Sequence, residues 1–162
     1  MALDLDRSTA IFFDGINWWL AANTTKILKF DANWNYLGES YELSSFIEGD
    51  ININDIYFDG TYWWVLNSVF LSTTNVYKFS DDWSTLLGVH EIVREEYAFT
   101  LSGALTFYDG FWWVPTLNML NFTEWYTSVL KFNEGWEYIE EIITSGTAIE
   151  LPIDVSFVGD IC

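Results

Sequence analysis

An all-β repeat fold is predicted for this chain of 162 residues, and three observations predict it. The chain repeats one pattern three times, as IFFDGINWWLAANTTKILKFDANW (Ile11–Trp34), DIYFDGTYWWVLNSVFLSTTNVYKFSDDW (Asp55–Trp83) and LTFYDGFWWVPTLNMLNFTEWYTSVLKFNEGW (Leu105–Trp136). Each copy runs from an apolar stretch into Asp-Gly, then a Trp-Trp pair, then Lys-Phe, then a Trp five residues after the lysine. The repeated acids Asp14, Asp59 and Asp109 are spaced by 45 and 50 residues, the size of one supersecondary unit in a repeat array. The apolar runs are short and bounded by turn residues, and no convincing helix is present.

The elements follow in order. Ala10–Phe13 is a short apolar strand that stops at Asp14-Gly15, a turn dipeptide between two strand-like runs. Trp18–Leu20 makes the next strand, Ala21–Thr25 turns it, and Lys26–Phe30 is the third. Tyr36–Leu43 alternates as a half-exposed fourth strand should. Four short antiparallel strands in about 45 residues make one β-propeller blade. The second copy places strands near Ile56–Phe58, Tyr62–Leu66, Asn75–Phe79 and Leu86–Ile92, after a crossing at Ser44–Asn54. The third places them at Leu105–Phe107, Trp112–Pro115, Ser128–Phe132 and Glu137–Ile143. The result is a single repeat domain over 1–162, with blades at about 8–43, 55–92 and 104–143. An extra strand at about 153–159 aligns with Asp55–Gly60 and resembles the start of a fourth copy.

The order apolar-apolar-x-Asp-Gly, aromatic-aromatic-Val and Val-Tyr-Lys-Phe resembles the repeats of NHL-type and related six-bladed β-propellers. The resemblance implies that the Asp-Gly turn joins the innermost strand to the second. It also implies that the third strand ends in an aromatic before a polar hairpin. Such families include extracellular binding modules, virion appendages, lyases and scaffolds, so the resemblance implies a fold and leaves the function to the site.

Composition narrows the partners. Six basic residues against 24 acidic ones give a net charge of −18, which opposes nucleic acid and anionic membranes, because both demand basic patches. Aromatic residues make up 20% of the chain, which argues for a packed protein with its acid on the surface. Cys162 is the only cysteine, so neither an intrachain disulfide nor a thiolate cluster is expected. The start MALDLDRSTA lacks a basic segment followed by an apolar one, so it does not read as a signal peptide. No apolar run is long enough for a membrane-spanning helix, and no membrane insertion is expected.

The pairs Trp18-Trp19, Trp63-Trp64 and Trp112-Trp113 read as core, because adjacent strand residues point to opposite faces and a blade buries both. The turn tryptophans Trp34, Trp83 and Trp136 lie at hairpin rims, where half-buried packing competes with stacking on a ligand such as a glycan. Lys29, Lys78 and Lys131 are three of the four lysines, and a carboxylate in or near the same blade is the expected partner, with Asp14, Asp59 and Asp109 the obvious candidates. In GDININD, Asp50, Asn52 and Asn54 alternate like the opening of a calcium loop. The glycine of such a loop is missing, and Ile51 and Ile53 suit a strand, so no cofactor or metal is expected. The triplets Asn23-Thr24-Thr25 and Asn121-Phe122-Thr123 are glycosylation acceptors in a secretory context. The lone His90 has no catalytic partner motif, and no catalytic constellation stands out, so an enzyme is not expected.

Association is expected instead. The spacing from the second Trp to the repeated Lys grows from 10 to 14 to 18, and the longest insertion, Thr116–Thr127, is apolar. Its Leu117, Met119, Leu120, Phe122, Trp125 and Tyr126, with Val155 and Phe157 of the extra strand, are the expected subunit contacts. Three blades do not close a ring of the usual 4–8, whereas two chains supply six. These features point to a homo-oligomeric structural or adhesive subunit of a virion or extracellular assembly. A glycan-binding module comes second, and a polysaccharide-active enzyme third.

Overall fold

The computed structural model describes residues 8–22, 25–70, 73–92, 99–120 and 124–146. They form three antiparallel sheets, each with four strands hydrogen-bonded in chain order. Blade 1 holds β1 (Ser8–Phe13), β2 (Trp18–Ala22), β3 (Lys26–Phe30) and β4 (Tyr36–Glu42). Blade 2 holds β5 (Ile53–Phe58), β6 (Trp63–Ser68), β7 (Thr74–Phe79) and β8 (Leu86–Glu91). Blade 3 is built of β10 (Thr106–Tyr108), β11 (Phe111–Leu120), β12 (Glu124–Asn133) and β13 (Tyr138–Gly146), with β9 (Phe99–Ser102) also paired to β11. The only helical turn among the described residues is the short 3-10 segment Leu43–Ser45, where the end of the fourth strand was expected.

Strand alternation explains the layering. In β6, Trp63 and Val65 point into a core shared with blade 1, while Trp64 and Leu66 point into one shared with blade 3. A sheet with two apolar faces must be covered on both, and β6 is buried along its whole length. The innermost strands of blades 1 and 2 lie side by side, linked by Phe12 on Tyr57 at 5.3 Å between ring centres. Tyr57 in turn meets Trp112 of blade 3 edge-on at 5.6 Å.

The third copy departs from the expectation most. Its apolar insertion is strand, not loop: β11 and β12 run ten residues each and pair from Phe111↔Asn133 to Leu120↔Glu124. The extra length is absorbed by lengthening the hairpin, whose central strand gains β9 on its other side, opposite Thr116–Met119. The inner strand is broken between Ser102 and Thr106, and Pro115, with no N–H to give, sits in β11 between the stretches paired to β10 and β9. Leu117 and Met119 are buried within the chain, whereas Leu120, Trp125 and Tyr126 are half-buried. Phe122, and the extra strand with Val155 and Phe157, lie outside the described residues.

Candidate functional site: the faces between blades

Each blade carries the same set of side chains toward its neighbours. The site starts at the Asp-Gly turn, where Asp59 Oδ1 accepts the backbone N–H groups of Thr61 and Tyr62 at 2.8 and 2.7 Å. Its Oδ2 accepts the Trp64 indole N–H at 2.7 Å, so one carboxylate fixes both the turn and the second Trp. Asp14 does the same for Ile16, Asn17 and Trp19 at 2.8, 2.7 and 2.6 Å. In blade 3 the turn is two residues shorter, with Tyr108 opposite Phe111 and Asp109-Gly110 at φ 53° and 80°. Both central residues with positive φ suit a two-residue hairpin turn, and there the Trp113 indole donates to the Tyr108 carbonyl instead.

Asp14 and Asp59 are therefore committed to their turns, and the lysines of blades 1 and 3 pair with other carboxylates of their own blades. Lys29 Nζ reaches Glu39 at 3.1 Å and Lys131 Nζ reaches Glu140 at 2.9 Å, both acids lying across on the fourth strand. Each lysine also lies over the second Trp of its blade, at 5.1 Å (Trp19), 4.9 Å (Trp64) and 4.8 Å (Trp113) from the ring centre.

Burial raises the Asp14 carboxyl, but the N–H of Asn17, the Trp19 indole, the N–H of Ile16 and the charge of Lys29 outweigh it and hold it below its usual value. A carboxyl depressed on folding stabilises the fold fully above its ordinary value of 3.8, and that stability is lost as pH falls through the depressed value. Asp14→Asn is thus expected to lower the melting temperature at neutral pH. The gap to wild type should close as the pH of the melts falls through that depressed value, below which both carry a neutral side chain. A gap that does not narrow would remove the carboxylate's charge from the account.

The first Trp of each pair faces the preceding blade, and the turn Trp stacks on it. The stacked pairs are Trp18 and Trp34 (5.0 Å, 16°), Trp63 and Trp83 (4.8 Å, 21°), and Trp112 and Trp136 (5.1 Å, 18°). The second Trp and a fourth-strand residue of the preceding blade close over the pair. Trp19 and Tyr41 meet Trp83 at 6.1 and 6.0 Å, and Trp64 and His90 meet Trp136 at 5.7 and 5.4 Å. His90, which sequence left without a role, is thus a packing residue; burial and the charge of Lys78 lower its pKa and favour the neutral ring.

All three turn tryptophans sit in left-handed backbone, at φ 65°, 62° and 63° for Trp34, Trp83 and Trp136. A non-glycine residue there costs about 1–2 kcal/mol, which a buried, stacked indole offsets. Trp83 is only 2% exposed, and Trp136 is half-buried. Trp34 is 48% exposed, and its stacking partner Trp18 is half-buried rather than enclosed. Of the six paired tryptophans, Trp19, Trp63, Trp64 and Trp112 are core as expected, while Trp18 and Trp113 are half-buried on the array's two outer faces.

The calcium-like segment serves the sheet. Asn52 N–H donates to Asn67 Oδ1 at 2.6 Å, and Asn54 Oδ1 accepts the Ser68 N–H at 2.8 Å. The carbonyl of Asp50 accepts from the Asn67 amide at 3.3 Å. Among the described residues, no group of three or more His, Cys, Asp or Glu is placed to hold a metal ion.

No protein-family model and no curated protein matches the sequence. Among solved structures, the chain is similar to "A subtype N10 neuraminidase-like protein of A/little yellow-shouldered bat/Guatemala/060/2010", with a TM-score of 0.51 and 13% identity. That match covers 85% of this chain and 43% of the other. It is also similar to BamB from Moraxella catarrhalis, with a TM-score of 0.39, 11% identity, and 81% and 47% of the two chains covered. The chain thus spans less than half the length of either. The antiparallel four-stranded sheets, together with the likeness to the neuraminidase-like propeller, make this an all-β chain of propeller blades.

Proposed function

We propose that the chain is a non-enzymatic structural subunit of a virion or extracellular assembly, and that it acts by joining its blades to those of a second copy. One observation carries this reading. The Trp18–Trp34 stack on the outer face of blade 1 repeats the stacks that blades 2 and 3 bury against a preceding blade, and Trp34 keeps the same left-handed backbone with its ring 48% exposed. Strain of this kind persists where surrounding structure enforces it, and a covering blade supplies that structure.

The second copy carries the matching face. Trp113 and Ile142 of blade 3 stand at the register positions of Trp19 and Tyr41 in blade 1, and of Trp64 and His90 in blade 2. Ile142 is 46% exposed, with Ile139 and Ile143 exposed beside it. Docked head to tail, two chains form two such contacts and make six blades. A few hundred Å² of apolar face at about 25 cal/mol per Å² contributes on the order of 5–10 kcal/mol per contact. The lost freedom of association, about 4–15 kcal/mol, is incurred once for both contacts. The charge of −18 on each copy opposes the approach, so physiological salt should tighten it.

Sedimentation at micromolar concentration is expected to show species of at least two chains. The informative variant is Trp34→Gly, because glycine relaxes the φ of 65° while deleting the ring. It should fold and sediment as single chains. A wild-type chain that stays monomeric, or a Trp34→Gly variant that associates as well as wild type, would defeat the proposal.

A further inference from the structure

We infer that the cleft beside Lys78 binds a small carboxylate carried on a ring-sized body. The three repeated lysines differ in their partners. Lys29 and Lys131 each hold a fourth-strand glutamate, at 3.1 and 2.9 Å. The same register places Lys78 opposite Gly88, so blade 2 has no carboxylate at that position. Lys78 forms no ion pair among the described residues, and its Nζ rests over the Tyr62 ring at 3.7 Å and the Trp64 ring at 4.9 Å. Ring faces answer the charge in part but leave N–H donors of the ammonium free for an acceptor.

Nothing in the backbone requires glycine at 88. Its φ lies outside the left-handed region, and an added Cβ would meet only His90 Nε2 at 3.6 Å and Lys78 Cβ at 4.0 Å, which is ordinary contact. A carboxylate is sterically admissible beside Lys78, and the sequence withholds it in a chain with 24 acidic residues.

Lys78 opens onto a cleft of about 300 Å³ between blades 2 and 3, a volume at the lower end for small-molecule sites. Buried Trp64 and Trp112 form its floor, and half-buried Tyr62 and Phe107 give it aromatic walls. Asp59 lines it too; its oxygens are taken by two backbone N–H groups and the Trp64 indole, so it pairs with the turn and not with Lys78, while its negative charge adds to that of Glu134. Exposed Glu134 stands at the margin and opposes any second negative charge, so the ligand is a monoanion. Its carboxylate takes the place at Lys78 that Glu39 and Glu140 fill in the sister blades, and its ring lies against the aromatic walls. Both walls belong to one chain, so the site does not depend on association.

Two sources share this chemistry, a sugar acid and an aromatic acid, and glucuronate and benzoate probe them. Titration followed by NMR shifts of the Trp indole N–H signals is expected to show saturable binding of at least one. Acetate and benzyl alcohol, which lack the ring and the charge respectively, should bind at least tenfold more weakly. Lys78→Met keeps the stem and removes the charge, and should weaken binding by roughly ten- to a hundredfold, the range for a charge-assisted hydrogen bond. Gly88→Glu supplies the missing carboxylate internally and should compete to a similar extent, with its melting temperature showing that it folds. Saturation by glucuronate alone identifies a sugar acid, and by benzoate alone an aromatic acid. Absence of binding by both, equal binding of acetate, or undiminished binding in the two variants would overturn the inference.

Discussion

Trp63→Ala is expected to cost the fold about 3–5 kcal/mol, the range for a large aromatic removed from a packed core. Trp63 is 1% exposed and meets Trp19, Phe58 and Trp83 at 4.6, 4.7 and 4.8 Å between ring centres. Its indole N–H donates to the Asp81 carbonyl at 3.1 Å, tying β6 to the third-to-fourth strand turn. Truncation therefore opens a cavity between blades 1 and 2. It also leaves Trp83 at a φ of 62° without the stack that offsets its backbone strain. Trp18→Ala removes the equivalent ring of blade 1, which no preceding blade covers among the described residues, and should cost a single chain far less. Urea unfolding of the two variants under monomeric conditions compares them directly. Equal losses would mean that place in the array does not decide the burial of these rings.

That contrast also marks how far the sequence could be read. The Asp-Gly turn, the Trp pair and the Lys-Phe strand end are local signals. They located the strands of blades 1 and 2 to within a few residues, apart from the earlier start of β5 at Ile53. Which Trp is covered depends on whether a blade lies on that side, and no local pattern around Trp18 differs from that around Trp63. The aspartates were the wrong carboxylates to choose because they recur in every copy, whereas Glu39 and Glu140 face their lysines through strand pairing that no repeated motif marks. The left-handed turn tryptophans carried no signal, since such positions ordinarily select Gly, Asn or Asp. One cue was present and went unused: in the third copy the Trp pair follows Asp109 after two residues instead of three, and the turn there is tighter.

The segment read as a loop holds the second large effect, because its Thr116 and Asn118 are buried. Thr116, Asn118 and Ser128 are fully buried, along with Ser68 of blade 2. Asn118 donates to Thr116 Oγ1 at 3.0 Å and to Ser128 Oγ at 2.8 Å, and its Oδ1 accepts from Thr100 at 3.0 Å. Thr100 and Ser102 carry the network to blade 2: Thr74 donates to the Thr100 carbonyl at 2.7 Å, and Ser102 N–H donates to Ser68 Oγ at 3.0 Å. The widening Trp-to-Lys spacing marks added residues but not their pairing, so in the sequence the segment reads as an apolar insertion at a subunit contact. Once satisfied, such a network fixes one arrangement of β9 against both blades, since any slip would strand several buried polar groups. Asn118→Leu keeps the branched connectivity in a somewhat bulkier side chain but deprives Thr100 Oγ1 of its acceptor, and Thr116 and Ser128 of a donor. The expected loss is about 2–4 kcal/mol, made of buried groups left unpaired rather than of lost apolar contact. Hydrogen exchange gives the sharper measurement. The Ser102 amide should lose protection ahead of the β6–β7 pairing, because β9 is held by this network and by a single ladder to β11. If the unfolding midpoint and the Ser102 protection both match wild type, the network is not what docks blade 3 onto blade 2.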